Sequence, residues 1–354
     1  MSNKNIRRVA LVGCGIMGAE VGAHVMDAGF DLIVYTRTAK SAEGLLARGA
    51  SWAQSPAAAT ANADVVLTCV GLPQDVEEVY LGPDGILGAA RKGTWLVDLT
   101  TSSPSLARDI HEAAQVEGIN AVDCPMTGGQ AGAKAGTLTL FVGAKEDYVE
   151  PIMGVLESFS AKRYFFGSAG AGQSAKLCNQ VALAANMAGM CDAFALAEQS
   201  GLDIAQVRDA IMDGMGGSVA MDNLGARVLD EDWKPGFMSM HMRKDLVLAL
   251  LASEDLDITL PATETSYILY DTLCKIGGPK MGTQALALLY RDEASAVAAG
   301  LDWSVFAQEQ DQQEEHHCCG GHGHGEGHGH GDGCCGGQGH GEGHHCHHEH
   351  GGER

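Results

Sequence analysis

Three glycines in the run Gly13-Cys14-Gly15-Ile16-Met17-Gly18 follow directly on the apolar stretch Val9 to Val12 and open a helical segment. In that context glycines cradle a dinucleotide pyrophosphate. Gly13 allows the tight turn, Gly15 lets the backbone approach the phosphates, and Gly18 lets the helix pack on the strand, with N–H groups at the helix start holding the anion. Cys14, Ile16 and Met17 belong to the same turn. At the end of the second strand an NAD-specific site needs Asp or Glu for the ribose hydroxyls, and the chain reads Tyr35-Thr36-Arg37-Thr38 instead. The planar fork of Arg37 can pair with a 2′-phosphate, with Thr38 as a hydroxyl donor beside Thr36, so NADP is expected in preference to NAD. The plain alternative is a solvated surface arginine.

A second concentration of ligand chemistry crowds the end of the chain. Twelve histidines and five cysteines lie there: His316, His317, Cys318, Cys319, His322, His324, His328, His330, Cys334, Cys335, His340, His344, His345, Cys346, His347, His348 and His350. Imidazole and thiolate together suit zinc, nickel or copper. The spacing is too irregular for one four-ligand site, so several weak, interchangeable sites are expected, none of them catalytic. A solvated tail is the alternative. The block Cys318 to His328 recurs, with one His-to-Gln change, as Cys334 to His344. Such a Gly-His-Cys tract cannot bury enough surface to offset chain entropy, and residues 307–354 are expected to form a disordered metal-binding tail.

The elements that must position the glycine turn are legible upstream of that tail. The chain has 354 residues, 45% of them hydrophobic, enough for about two domains. From Arg8 to about Phe166, β-branched runs alternate with helical stretches: Val9 to Val12, Asp31 to Tyr35, Val65 to Val70, Trp95 to Leu99, Asn120 to Asp123, Thr137 to Val142 and Arg163 to Phe166. That order predicts an α/β fold, a Rossmann-type doubly wound parallel sheet, over residues 1–168. From Ala171 the strand signal disappears and Ala, Leu and Met recur every three or four residues. An all-α domain for substrate binding and oligomerisation is expected over 169–306, with a long helix from Ser174 to Ser200 buried on all sides.

A net charge of −22 disfavours nucleic acid or an anionic membrane as partner. Asn179, Gln180, Asn186 and Asp192 interrupt the most apolar stretch, so no membrane span is expected. Six cysteines scattered through apolar segments (Cys14, Cys69, Cys124, Cys178, Cys191, Cys274) read as small buried hydrophobes. With no export signal read, a reducing cytoplasm is expected.

Four further motifs follow the glycine turn in order, and with them the chain resembles the β-hydroxyacid dehydrogenases over about residues 6–303. They are Asp98-Leu99-Thr100-Thr101-Ser102-Ser103-Pro104, Asp123-Cys124-Pro125-Met126-Thr127-Gly128-Gly129, Gly170 to Gln180 with Lys176 at its centre, and Lys244-Asp245-Leu246. The resemblance implies that Thr101, Val70, Gly71, Pro73 and Lys244 meet the cofactor. It also implies that Thr127, Gly128, Gly129, Lys176, Asn179 and Gln180 meet a small carboxylate substrate, and that the chain forms a homodimer or homotetramer. The family's usual Ser is Thr127 here, and Gly71 stands where relatives have Pro. A His-Asn pair after the lysine, as in 6-phosphogluconate dehydrogenases, is replaced by Cys178-Asn179.

The chemistry expected is hydride exchange between NADP(H) and a small 3-hydroxy acid or its semialdehyde, or a similar small oxo acid. The oxygen that gains or loses a proton then needs an acid or base within reach, and Lys176 is the candidate. Asn179 and Gln180, three and four positions on, share its helix face. The Thr127 hydroxyl and the glycine N–H groups offer donors to a carboxylate. The competing reading is a metal-buffering or metal-sensing protein that keeps the reductase fold as a scaffold for its tail.

Overall fold

The computed structural model describes residues 6–306; the tail, with every candidate metal ligand named above, lies outside the described residues. Among the described residues no group of three His, Cys, Asp or Glu side chains is placed to hold a metal ion.

Six strands form one parallel sheet: β1 (Arg8–Val12), β2 (Asp31–Tyr35), β3 (Ser51–Trp52), β4 (Val65–Thr68), β5 (Trp95–Asp98) and β6 (Asn120–Asp123), in the order β3-β2-β1-β4-β5-β6. The near-continuous apolar runs have a physical reason, because both faces are covered. Alternate residues of β1 and β4 feed two separate cores: Val9, Leu11, Val65 and Leu67 on one side, Ala10, Val12 and Val66 on the other. β1 lies between β2 and β4, so the strand order reverses there, and a crevice opens beyond the carboxyl ends of these strands.

The strands expected at 137–142 and 163–166 leave this sheet. With β7 (Met126–Thr127), β8 (Leu138–Val142) and β9 (Ser160–Phe165) form a second, three-stranded sheet, antiparallel between β7 and β8 and parallel between β8 and β9. The chain turns back through the short helix Gly129–Ala135, entered by Gly128 and Gly129 at φ of 125° and 60° and left by Gly136 at 66°, a region closed to most side chains, so Met126 meets Leu140. β3 carries only two residues, too few for any periodicity to announce it.

The helical segment is as expected in content and differs in burial. The long helix runs Ala171–Gln199 and packs against the helices Ser239–Asp255 and Pro261–Lys275 and the 3-10 helix Thr283–Tyr290. It is not buried all round: Cys178, Ala182, Ala185 and Gly189 are exposed, and Leu196 is 71% exposed. The other helices cover one side only, and small residues on the remaining side bury little surface in any case. At 29 residues this helix is long and apolar enough to cross a membrane, a test that core helices also pass, and its Gln173, Lys176 and Gln180 are buried in protein. All six cysteines of the described region are free. Cys14, Cys124 and Cys191 are buried as expected, Cys69 and Cys274 are half-buried, and Cys178 is exposed.

Candidate active site

At the carboxyl end of β1 the chain makes the turn that the glycines require. Gly13 has φ of 101°, and a Cβ on it would collide with the Cys69 backbone carbonyl. A Cβ on Gly18 would collide with the Gly13 carbonyl, so the helix Ile16–Asp27 sits against the strand at a distance only glycine allows. Gly15, at the helix N-cap, meets nothing within 4 Å: the space a Cβ would enter is open to the cleft. Close approach with open space over a helix start is what a pyrophosphate needs, so the residues fit a dinucleotide.

The cleft has a volume of about 780 Å³. Gly13, Gly15, Ile16, Met17, Gly18, Thr36, Arg37, Thr38, Val70, Gly71 and Thr101 line it, and so do Thr127, Gly129, Lys176, Gln180 and Lys244. The glycine turn, the 98–104 loop, the 126–129 segment and Lys176 therefore meet in one space. Four expected residues stand back from it. Cys14 turns its side chain into the sheet core. Pro73 begins the helix Pro73–Leu81, Gly128 backs onto Leu138, and the Asn179 amide donates to Gln180 Oε1 at 2.8 Å.

A buried polar chain crosses the cleft floor. Lys176 Nζ donates to Gln180 Oε1 at 2.8 Å, and Gln180 Nε2 donates to Asp245 Oδ2 at 2.6 Å. Lys244 Nζ stands 3.1 Å from Asp245 Oδ1, an ion pair without hydrogen-bond alignment, and donates to the Thr101 carbonyl at 2.6 Å. Lys176, Gln180 and Asp245 are all buried. Burial lowers the Lys176 ammonium from 10.5 to about 8; nearby Asp245 opposes the shift and nearby Lys244 adds to it. The lysine thus exchanges its proton near physiological pH, which an exposed lysine does not.

Beyond the end of β2, Arg37 Nη1 pairs with Asp75 Oδ1 at 2.9 Å, with the arginine 75% exposed and the aspartate 14%. The other oxygen of Asp75 accepts the Leu72 N–H at 3.0 Å and caps the helix Pro73–Leu81. Arg37 thus lies at the rim of the cleft, paired with Asp75 and largely open to solvent.

Sequence reasoning did not single out Asp75, Phe237 or His241, and gave Asp245 no role beyond its place in the Lys244-Asp245-Leu246 motif; all four line the cleft. For His241 a signal existed, since it stands three and four positions before Lys244 and Asp245 on one helix face. Its imidazole pKa is lowered by burial and then by nearby Lys244. Phe237, stacked on His241 with ring centroids 6.2 Å apart, comes from the irregular segment before that helix and had no local signature.

A parallel six-stranded sheet with a glycine turn at its switch point and a buried lysine across the cleft defines a dinucleotide-binding α/β oxidoreductase. Residues 8–167 match the family described as the NAD-binding domain of 6-phosphogluconate dehydrogenase. Residues 170–290 match that described as the NAD-binding part of NADP-dependent 3-hydroxyisobutyrate dehydrogenase. The chain is 39% identical over 282 residues to "Probable 3-hydroxyisobutyrate dehydrogenase-like 1, mitochondrial" of Arabidopsis thaliana, covering 79% of this chain and 84% of the relative. It is 35% identical over 279 residues to an NAD-dependent L-serine dehydrogenase of Pseudomonas aeruginosa, covering 77% and 94%. The solved structure of Mycobacterium tuberculosis 3-hydroxyisobutyrate dehydrogenase with L-serine superposes with a TM-score of 0.75 at 31% identity, covering 81% of this chain and all of that one. The chain belongs to the β-hydroxyacid dehydrogenase family.

Proposed function

We propose that this oxidoreductase interconverts a small 3-hydroxy acid and its semialdehyde, or a similar small oxo acid, with NADP(H) and with Lys176 as acid and base. The observation that carries the reading is the buried Lys176 amine on the same cleft as the glycine turn, Thr127 and Gly129. The nicotinamide, when bound, supplies or takes up the hydride. Lys176 Nζ gives its proton to the substrate oxygen as the carbonyl becomes a hydroxyl, and removes it in the reverse direction. Gln180 holds the amine through its amide oxygen and so aims the remaining N–H bonds. The Thr127 hydroxyl, the Gly129 N–H and the positive charge of Lys244 favour a carboxylate beside it. Relatives named for 3-hydroxyisobutyrate and L-serine support a substrate of that size and charge.

The NADP preference rests on the absence of a carboxylate at the end of β2 and on Arg37 at the cleft rim. Its test is kcat/KM with NADPH and NADH against glyoxylate and the succinic, tartronate and methylmalonate semialdehydes, for the native chain and Arg37→Ala. The native chain is expected to favour NADPH with at least one of these. Arg37→Ala is expected to lose about tenfold or more with NADPH, because a charge-assisted pair to the 2′-phosphate is gone and Asp75 is left facing it, while NADH changes little. Equal losses with both cofactors would refute the preference.

The division at 168–169, a cytoplasmic location and assembly into a homodimer or homotetramer belong to the same proposal. The helical segment's exposed small-residue face supports the last. For residues 307–354 the proposal is metal buffering or sensing, supported by the density of imidazole and thiolate in the sequence. Titrating zinc, nickel and copper against the full chain and a chain ending at 306 is expected to show uptake by the first alone, with activity unchanged by truncation. Equal uptake by both would dispose of it.

A further inference from the structure

Gln173 stands one helical turn before Lys176 and has no exposed surface. Its amide makes two bonds, both to the 98–104 loop after β5. The oxygen accepts the Ser102 backbone N–H at 2.9 Å, and the nitrogen donates to the Thr100 carbonyl at 2.7 Å. Those groups belong to the two peptide units on either side of Thr101. The second of these units is also held at its other end, since the Thr101 carbonyl accepts from Lys244 Nζ at 2.6 Å. The backbone of Gln173 is anchored as well: its N–H donates to Asp123 Oδ2 at 2.8 Å, and the other oxygen of that carboxylate accepts the Gly170 N–H at 2.9 Å. The start of the long helix is thus clamped to the end of β6, and one side chain ties it to the loop after β5.

We infer that Gln173 is a positioning residue, whose amide sets the place of the Lys176 amine relative to the Thr101 turn. The inference rests on the reading of Lys176 as the proton donor. Three residues of helix advance about 4.5 Å and nearly complete a turn, so the backbone that carries Lys176 follows that of Gln173 as one rigid piece. Both clasped peptide units line the cleft through Thr100 and Thr101. A planar amide accepts and donates at this spacing without a charge and at any pH, whereas a carboxyl does so only when protonated. Without it the Ser102 N–H and Thr100 carbonyl are left buried without partners. Loop and helix then move apart or admit water, and misplacement of reacting groups by about 1 Å costs roughly 100-fold in rate.

The test compares Gln173→Met and Gln173→Glu with the native chain and Lys176→Met, reading thermal stability, NADPH binding and the pH profile of reductive kcat. Gln173→Met fills the same space with no polar group. It is expected to lose about 100-fold in kcat and less in NADPH affinity, because the glycine turn is untouched while the Thr100–Thr101 loop shifts. The alkaline limb of its profile, set in the native chain by an amine titrating at about 8, is expected to move up as water reaches Lys176. Gln173→Glu keeps the acceptor for Ser102 and regains a donor for Thr100 only when protonated, so its kcat is expected to recover about tenfold or more as pH falls. A folded Gln173→Met with native kcat and profile overturns the inference, as does a Gln173→Glu without recovery at low pH. Turnover by Lys176→Met would instead overturn the proton-donor reading, so the two failures are distinguishable.

Discussion

Replacing Lys176 by methionine is expected to lower kcat in both directions by about two to four orders of magnitude, the usual contribution of a positioned acid or base, with NADPH affinity within about threefold of native. Methionine fills most of the lysine's volume and brings no proton. Gln180 Oε1 keeps a partner in Asn179, and Asp245 keeps Lys244, so the rest of the buried chain survives. Thermal stability is expected to hold or rise, because a buried ionisable group is removed without leaving its neighbours unpaired. Near-native turnover by this variant would end the assignment.

The native pH dependence follows from the same amine. With Lys176 in the proposed role reduction needs the ammonium, so reductive kcat/KM is expected to be flat below about pH 8 and to fall about tenfold per unit above it. Oxidation needs the free amine and is expected to rise through the same value. Stability carries the matching sign. Between about 8 and 10.5 the unfolded lysine binds a proton that the folded one has given up, so native stability rises with pH across that window. Denaturant midpoints of Lys176→Met should lack that rise.

Gly13→Ala is expected to lose about 100-fold or more in dinucleotide affinity and to be destabilised, by about 1–3 kcal/mol from backbone conformation alone. The native φ of 101° is closed to alanine, and the added Cβ runs into the Cys69 carbonyl at the end of β4. Relief of that collision must shift the segment carrying Val70 and Gly71, which lines the same cleft. Gly15→Ala makes the informative contrast. Its φ of −70° suits any residue and its Cβ meets nothing, so its melting temperature should match native while affinity falls, because the methyl fills space kept for phosphate. Native affinity in Gly13→Ala would show that the turn is not the dinucleotide site.

Local chemistry accounts for what is legible in the amino-acid sequence. The apolar runs of β1, β2, β4, β5 and β6 announce a sheet covered on both faces, and the glycines, Thr127, Lys176 and Lys244 each sit in a contiguous motif on which their proposed roles rest. Motifs far apart in the chain, at 13–18, 98–104, 123–129, 170–180 and 244–246, are legible because each is contiguous. Partners across chain distance are not. Nothing near Arg37 in sequence names Asp75, and nothing near Lys176 names Asp245, 69 positions on by residue number. The same holds for the strands at 138–142 and 160–165, whose composition says strand and whose sheet is set by pairing with each other and with Met126–Thr127.

By itself the sequence determined the fold class, the glycine turn, the identity of the amine and the family to which the chain belongs, since these depend on short-range backbone sterics and on side-chain chemistry within a few residues. The tertiary structure decided the burial that brings Lys176 to about 8, the joining of Gln180, Asp245, Lys244 and Thr101 into one polar chain, and the exposed face of the long helix. Each of those depends on which distant surfaces exclude water from a group, and burial is a property of the packed chain that no local pattern carries.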